Sequence, residues 1–107
     1  MRVSKFEIDS IINAIEQKLA IKKTDLYLFG SRANEELKGG DIDLLLIFDD
    51  SECFKIISEN KHEILINIKN RIGYQKIDLV LEEKYKVSGN AFVSMILDDA
   101  KLLKSWQ

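Results

Sequence analysis

The chain has 107 residues, 46% of them hydrophobic, enough to bury one core and too few for two independently stable domains, so one domain over residues 1–107 is expected. Sixteen Lys and Arg against eighteen Asp and Glu leave a net charge of −2, which gives no bulk electrostatic attraction to nucleic acid or to a membrane surface. Cys53 is the only cysteine, which excludes an internal disulfide and any zinc-ligand spacing, and the absence of an apolar leader or of a run of about 18 apolar residues points to a soluble, unprocessed, cytoplasmic protein.

Taken in chain order, Ser4-Lys5-Phe6-Glu7 has the form of a capping box, and Ile8, Ile11, Ile12, Ile15 and Leu19 follow at helical spacing, which predicts a helix over residues 5–20. Leu26-Tyr27-Leu28-Phe29 is a β-prone run ended by Gly30, and Ser31 to Leu37 reads as a short helix or turn before Gly39-Gly40. Asp41 to Phe48 begins in strict alternation and becomes continuously apolar, as a central strand does when one end emerges at a polar site. Asp49-Asp50-Ser51 offers caps for one long helix whose stripe is Phe54, Ile57, Lys61, Ile64, Leu65, Ile68 and Ile72, closed by Gly73. Lys76 to Leu81 predicts a third strand. Phe92, Val93, Ile96 and Leu97 predict a last helix after Gly89-Asn90, and Lys101-Leu102-Leu103 a short edge strand. This order predicts an α/β fold in which helices pack against a small mixed sheet.

The chemistry gathers at strand ends. On a strand, Asp41 and Asp43 project to the same face, with Cβ atoms about 6.5 to 7 Å apart, and two such anions repel unless a cation lies between them. Mg²⁺ suits them, because it takes hard oxygens from one or two carboxylates and completes its octahedron with water and substrate phosphate. The alternative is a strand end facing solvent. Upstream, Gly30 permits close backbone approach, and the amides and hydroxyl of Gly30-Ser31 could hold phosphate oxygens; the alternative is an ordinary turn with Ser31 as helix cap. Asp78, between Ile77 and Leu79, is either an acid in an apolar strand that needs a partner or an edge residue facing water. His62 has no second histidine or cysteine near it and reads as solvent-facing, Cys53 as packing, Tyr27 as a sheet residue, Tyr74 as a turn residue and Trp106 as an anchor or partner contact.

Gly30-Ser31, nine intervening residues, Asp41-Ile42-Asp43, and Asp78 on a later strand resemble the signature of the DNA polymerase β-like nucleotidyltransferase superfamily, and in particular its minimal nucleotidyltransferases. The likeness extends through Leu28 to Ala33 and Gly40 to Leu45 and spans roughly residues 5 to 103. Two positions depart from it: Glu35 stands where many relatives carry glycine, and Gly40 where serine is common. The resemblance implies that Asp41, Asp43 and Asp78 bind two Mg²⁺ ions and form the catalytic triad. It also implies that Gly30 and Ser31 hold the triphosphate of ATP or another NTP, with Arg32 as a further phosphate contact.

The activity so implied is transfer of a nucleoside monophosphate, AMP in the better-understood systems, to a hydroxyl by in-line attack on the α-phosphorus with loss of pyrophosphate. In those systems the acceptor is a tyrosine of a small helical HEPN-type partner, and the pair resembles a toxin and its antitoxin. A catalytic fold that occupies nearly all 107 residues suggests the same, because the acceptor surface must then come from another molecule. Two alternatives remain open at the level of sequence: a catalytically silent antitoxin acting by contact, and a transferase to a small-molecule hydroxyl.

Overall fold

The computed structural model describes residues 1–18, 22–34 and 40–107. Helix α1 (Lys5–Glu16) opens on the expected capping box: the Ser4 hydroxyl accepts from Glu7 N at 3.1 Å while the Glu7 carboxylate accepts from Ser4 N at 2.9 Å. Its buried face is Ser10, Ile11, Ala14 and Ile15. The helix ends four residues short of the expected position, and Leu19 and Ala20 lie outside the described residues.

Strand β1 (Thr24–Phe29) alternates buried and half-buried side chains, and a 3₁₀ turn at Gly30–Ala33 follows it. The expected helix or turn reaching Leu37 is therefore this turn, with residues 35–39, Glu35 and Glu36 among them, outside the described set. After Asp43, strand β2 (Ile42–Phe48) is continuously apolar from Leu44 onward because both its faces are covered there. Leu44, Leu46 and Phe48 belong to the main core beneath α1 and the helices after β2, while Leu45 and Ile47 form a smaller cluster with Val93 on the opposite face.

The single long helix expected after β2 is two helices, α2 (Ser51–Glu59) and α3 (Lys61–Ile72). Asn60 makes the break. Its backbone leaves the helical region at φ −110° and ψ 11°, and its side-chain amide donates at 2.7 Å to Ile56 O, the carbonyl that also accepts from Asn60 N at 3.1 Å. The break lets the two helices bury Ile57 on one side of it and Ile64 and Ile68 on the other, while Lys61 falls at the start of α3 and is half-buried. Asp50 caps α2 as expected, accepting from Glu52 N and Cys53 N at 3.0 Å each.

Strand β3 (Ile77–Glu83), a 3₁₀ helix at Lys84–Gly89, helix α4 (Ala91–Leu97) and strand β4 (Lys101–Trp106) complete the order. The four strands form one mixed sheet in the order β3-β2-β1-β4. β1 is antiparallel to both β2 and β4, whereas β2 and β3 run parallel, their crossover carrying α2 and α3. β4 is longer than the expected Lys101–Leu103 because Trp106 has something to bury against: its ring joins the main core and its indole N–H donates to the Glu16 carboxylate at 2.8 Å. Cys53 is buried in the same core, and His62 and Tyr74 face solvent. Among the described residues no helix is long and apolar enough to cross a membrane.

The division at Asn60 makes Ile64 a core anchor next to the solvent-facing His62. Ile64→Ala is expected to lower the free energy of unfolding by about 2–5 kcal/mol, and His62→Ala to change it by less than about 0.5 kcal/mol; urea titrations of the two variants check both.

Candidate active site

Parallel pairing of β2 with β3 sets the site. The register is Ile42 opposite Ile77 and Asp43 opposite Asp78, so the two aspartates are cross-strand neighbours projecting to the same side of the sheet. Asp41 lies one residue before β2 rather than on it, yet its carboxylate turns to the same point. One carboxylate oxygen from each of Asp41, Asp43 and Asp78 can be chosen so that all three lie within 4.8 Å of one another. Asp78 is exposed, because β3 is an edge strand, whereas Asp41 and Asp43 are half-buried. Asp78 thus sits on an edge strand and faces solvent, and it does so within the cluster formed with Asp41 and Asp43.

Such crowding of like charges has a visible consequence. Partial burial pushes the Asp43 carboxyl above the ordinary aspartate range, and the neighbouring Asp78 and Asp41 carboxylates push it further in the same direction. Lys76 offsets part of this, with its ammonium 3.7 Å from Asp41 Oδ2, but Lys76 is exposed and Asp41 only half-buried, and such a pair contributes little. Three hard oxygen donors converging from two strands fit a divalent cation of the Mg²⁺ kind, whose charge would replace repulsion by shared coordination.

Gly30 is required at its place for two separate reasons. Its φ is +74°, a conformation costly for any residue with a side chain, and a Cβ built there would collide with the Asp43 carboxylate, whose Cγ would lie only 3.2 Å away. The turn after β1 is thereby laid directly against the acidic cluster. Ser31 does not act as a helix cap: Phe29 occupies the cap position and no side-chain cap bond is made. Gly30 and Ser31 instead line a cleft of about 740 Å³, bounded also by Phe29, Met95, Ile96 and Lys101. None of the three acids lines this cleft; Gly30, which abuts Asp43, is the residue shared between the cleft and the acidic cluster.

Those elements are the features by which nucleotidyl transfer is recognised, and they agree with a comparison of the whole sequence. The model of the nucleotidyltransferase domain family matches residues 8–103. The chain belongs to that family. A crystal structure of a candidate nucleotidyltransferase from Sulfolobus solfataricus is similar at 19% identity and a TM-score of 0.49, the match covering 98% of this chain and 92% of that one. No curated protein sequence matches the chain. The matched region also has the small size of a minimal nucleotidyltransferase.

In this nucleotidyltransferase domain the third predicted nucleotide contact, Arg32, is bonded to other parts of the fold. Its guanidinium donates to Arg2 O at 3.0 Å, to Gly40 O at 3.0 Å and to Gln75 Oε1 at 2.9 Å. Gly40, where relatives often carry serine, has room for a Cβ and an ordinary φ, so the departure answers no steric demand. Sequence reasoning missed Gln75, Lys76 and Lys101. Lys76 could have been suspected from its place two residues before Asp78, but nothing in spacing connects Gln75 with Arg32, 43 residues earlier.

The raised Asp43 pKa has a definite sign. Native Asp43 holds its proton more tightly than the unfolded chain does, so its carboxyl favours the fold at low pH and that contribution is lost as pH rises from the ordinary aspartate value through the raised one. Asp43→Asn is therefore expected to raise the thermal midpoint at pH 7 in the absence of divalent cations, with the advantage shrinking as the pH is lowered toward about 4. Thermal melts across that range check it; a gain of the same size at every pH would show that relief of repulsion is not its cause.

Proposed function

We propose that this chain is a magnesium-dependent nucleotidyltransferase that moves a nucleoside monophosphate, AMP from ATP by resemblance, to a hydroxyl on a small helical HEPN-type partner protein, in a pair of toxin–antitoxin type. The observation that carries the reaction class is the convergence of Asp41, Asp43 and Asp78 beside a glycine turn that cannot bear a side chain, within a chain of nucleotidyltransferase family. In this reading residues 1–107 act as one domain in the cytoplasm.

Asp41, Asp43 and Asp78 are the residues that would hold two Mg²⁺ ions, which supply positive charge against the triphosphate and against the oxygens that attack and leave. Gly30 and Ser31 hold triphosphate oxygens at the mouth of the cleft, orienting the α-phosphorus toward the acidic cluster. An acceptor hydroxyl forms the new O–P bond there, the α–β phosphoanhydride bond breaks, and pyrophosphate leaves. Asp78 is the most exposed of the three carboxylates, which supports it as the group that takes the hydroxyl proton.

Support for an acceptor on a second protein comes from the surface beside the cleft. Met95 is 64% exposed and lines it, Phe92 one turn earlier on α4 is 51% exposed, and Leu102 on the neighbouring edge strand is 56% exposed. Apolar side chains of this size left in water at the rim of a site suit a protein partner better than a small hydrophilic acceptor.

Asp41→Asn and Asp43→Asn are each expected to lower transfer by about three decades, roughly 4 kcal/mol of barrier, while leaving the protein folded. Incubation with labelled ATP and Mg²⁺, with and without the protein encoded by the neighbouring reading frame, followed by intact-mass spectrometry, tests this: one AMP added to the neighbour by the native chain and none by either variant is the expected result. Rapid transfer to a small hydroxyl compound, with none to a folded neighbour, would overturn the partner assignment. Ser31→Ala is expected to weaken NTP binding by about 1.5–3 kcal/mol, the worth of one charge-assisted hydrogen bond; an unchanged affinity by calorimetry with Mg²⁺ present would remove Ser31 from the phosphate site.

A further inference from the structure

Gly40, immediately before Asp41, and the segment that leads into Asp78 are far apart in sequence, and two chains of hydrogen bonds tie the two acids' surroundings together. One is backbone: Ile42 N donates to Lys76 O at 3.0 Å, extending the β2–β3 ladder to the residue between the first two acids. The other runs through Arg32. One terminal nitrogen, Nη2, donates both to Gly40 O, the carbonyl immediately before Asp41, and to Gln75 Oε1, three residues before Asp78. The second, Nη1, donates to Arg2 O, and Arg2 N donates back to Arg32 O at 2.8 Å.

Gln75 is itself fixed from the far side. Its amide donates to Glu7 Oε2 at 2.7 Å, and the other oxygen of that carboxylate closes the capping box of α1. Burial alone would push the Glu7 carboxyl up, but the bonds from the Ser4 backbone and Gln75 and the charge of Arg32 more than offset it and hold the group below its usual range. The chain Glu7–Gln75–Arg32–Gly40 thus joins the first turn of α1, the entry to β3, the turn carrying Gly30 and Ser31, and the entry to β2. An Arg32 that reached for phosphate with Nη2 would have to abandon both Gly40 and Gln75.

We infer that Arg32 is a positioning residue that, with Gln75, locks the approaches of Asp41 and Asp78 against the Gly30-Ser31 turn, and is not a contact to the nucleotide phosphates. The inference rests on the proposed function in one respect only, the assignment of the acids as metal ligands. Outer partners that orient ligating carboxylates typically contribute about 10- to 100-fold in metal affinity. Because every bond of the strap is made between groups of the protein itself, its effect also reaches the metal-free protein.

The full-length Arg32→Lys, Gln75→Leu and native chains are compared, after circular dichroism has shown that each variant is folded. Hydrogen exchange of the Ile42 amide without divalent cations is the first measurement, and the affinities for Mn²⁺ alone and for ATP at saturating Mn²⁺ are the second. Both variants are expected to speed exchange at Ile42 and to weaken Mn²⁺ binding by at least about tenfold, with ATP affinity at saturating metal changed less than twofold. Native exchange at Ile42 in Arg32→Lys would overturn the strap whatever the protein binds. Loss of ATP affinity in Arg32→Lys with none in Gln75→Leu would overturn it in favour of a phosphate contact. Failure of the native chain to bind either Mn²⁺ or ATP would count against the proposed function, while the exchange measurement would still decide the strap.

Discussion

Everything at the candidate site depends on the parallel pairing of β2 and β3 in the register that sets Asp43 opposite Asp78. A slip of one residue would send Asp78 to the opposite side of the sheet and bring Ile77 or Leu79 beside Asp43. The apolar pattern on both strands resists such a slip. Ile42 and Leu44 on β2 and Ile77 and Leu79 on β3 face the main core together, and their burial fixes the phase in which the intervening aspartates must point outward. Hydrophobic burial on one face thus pins three repelling carboxylates on the other.

The same division of labour explains why the sheet is covered so unequally. α1, α2 and α3 supply the large core on one face, with Ile11, Ile15, Ile57, Ile64 and Ile68 fully buried against β1 and β2. Among the described residues the opposite face carries a smaller cluster, in which Val93 of α4 packs with Leu45 and Ile47. The larger core lies on the first face, while a cleft is bounded by Gly30, Ser31 and Lys101.

Gly30 and Arg32 act on the acidic cluster from opposite directions. Gly30 brings the turn into contact with Asp43 because it has no side chain to intervene. Arg32, two residues on, holds that turn to the entries of both acid-bearing strands by hydrogen bonds to Gly40 and Gln75. Under the proposed function, a short turn then serves two purposes with different atoms: its Gly30-Ser31 portion faces the triphosphate and its Arg32 side chain faces the protein. Carboxylates that repel in the metal-free state gain from such external restraint, since their mutual interaction alone would spread them.

Local chemistry in the sequence determined much of this. The capping box at Ser4–Glu7 and the spacing of apolar residues located α1, β1, β2 and β3, because these features act within a few residues and need no distant partner. Gly30-Ser31 and Asp41-Ile42-Asp43 were likewise legible, with Asp78 as the candidate third acid. Tertiary structure alone decided the rest. The long helix divides at Asn60 because the asparagine amide and burial on both sides of it outweigh a periodic stripe that reads as continuous. Asp78 is exposed because strand order, which no single strand encodes, leaves β3 at an edge. Trp106 extends β4 because Glu16, 90 residues earlier, accepts from its indole. Arg32 points inward for the same reason: its acceptors on Arg2, Gly40 and Gln75 are assembled only when three distant segments meet, and a motif read along the chain contains none of that geometry.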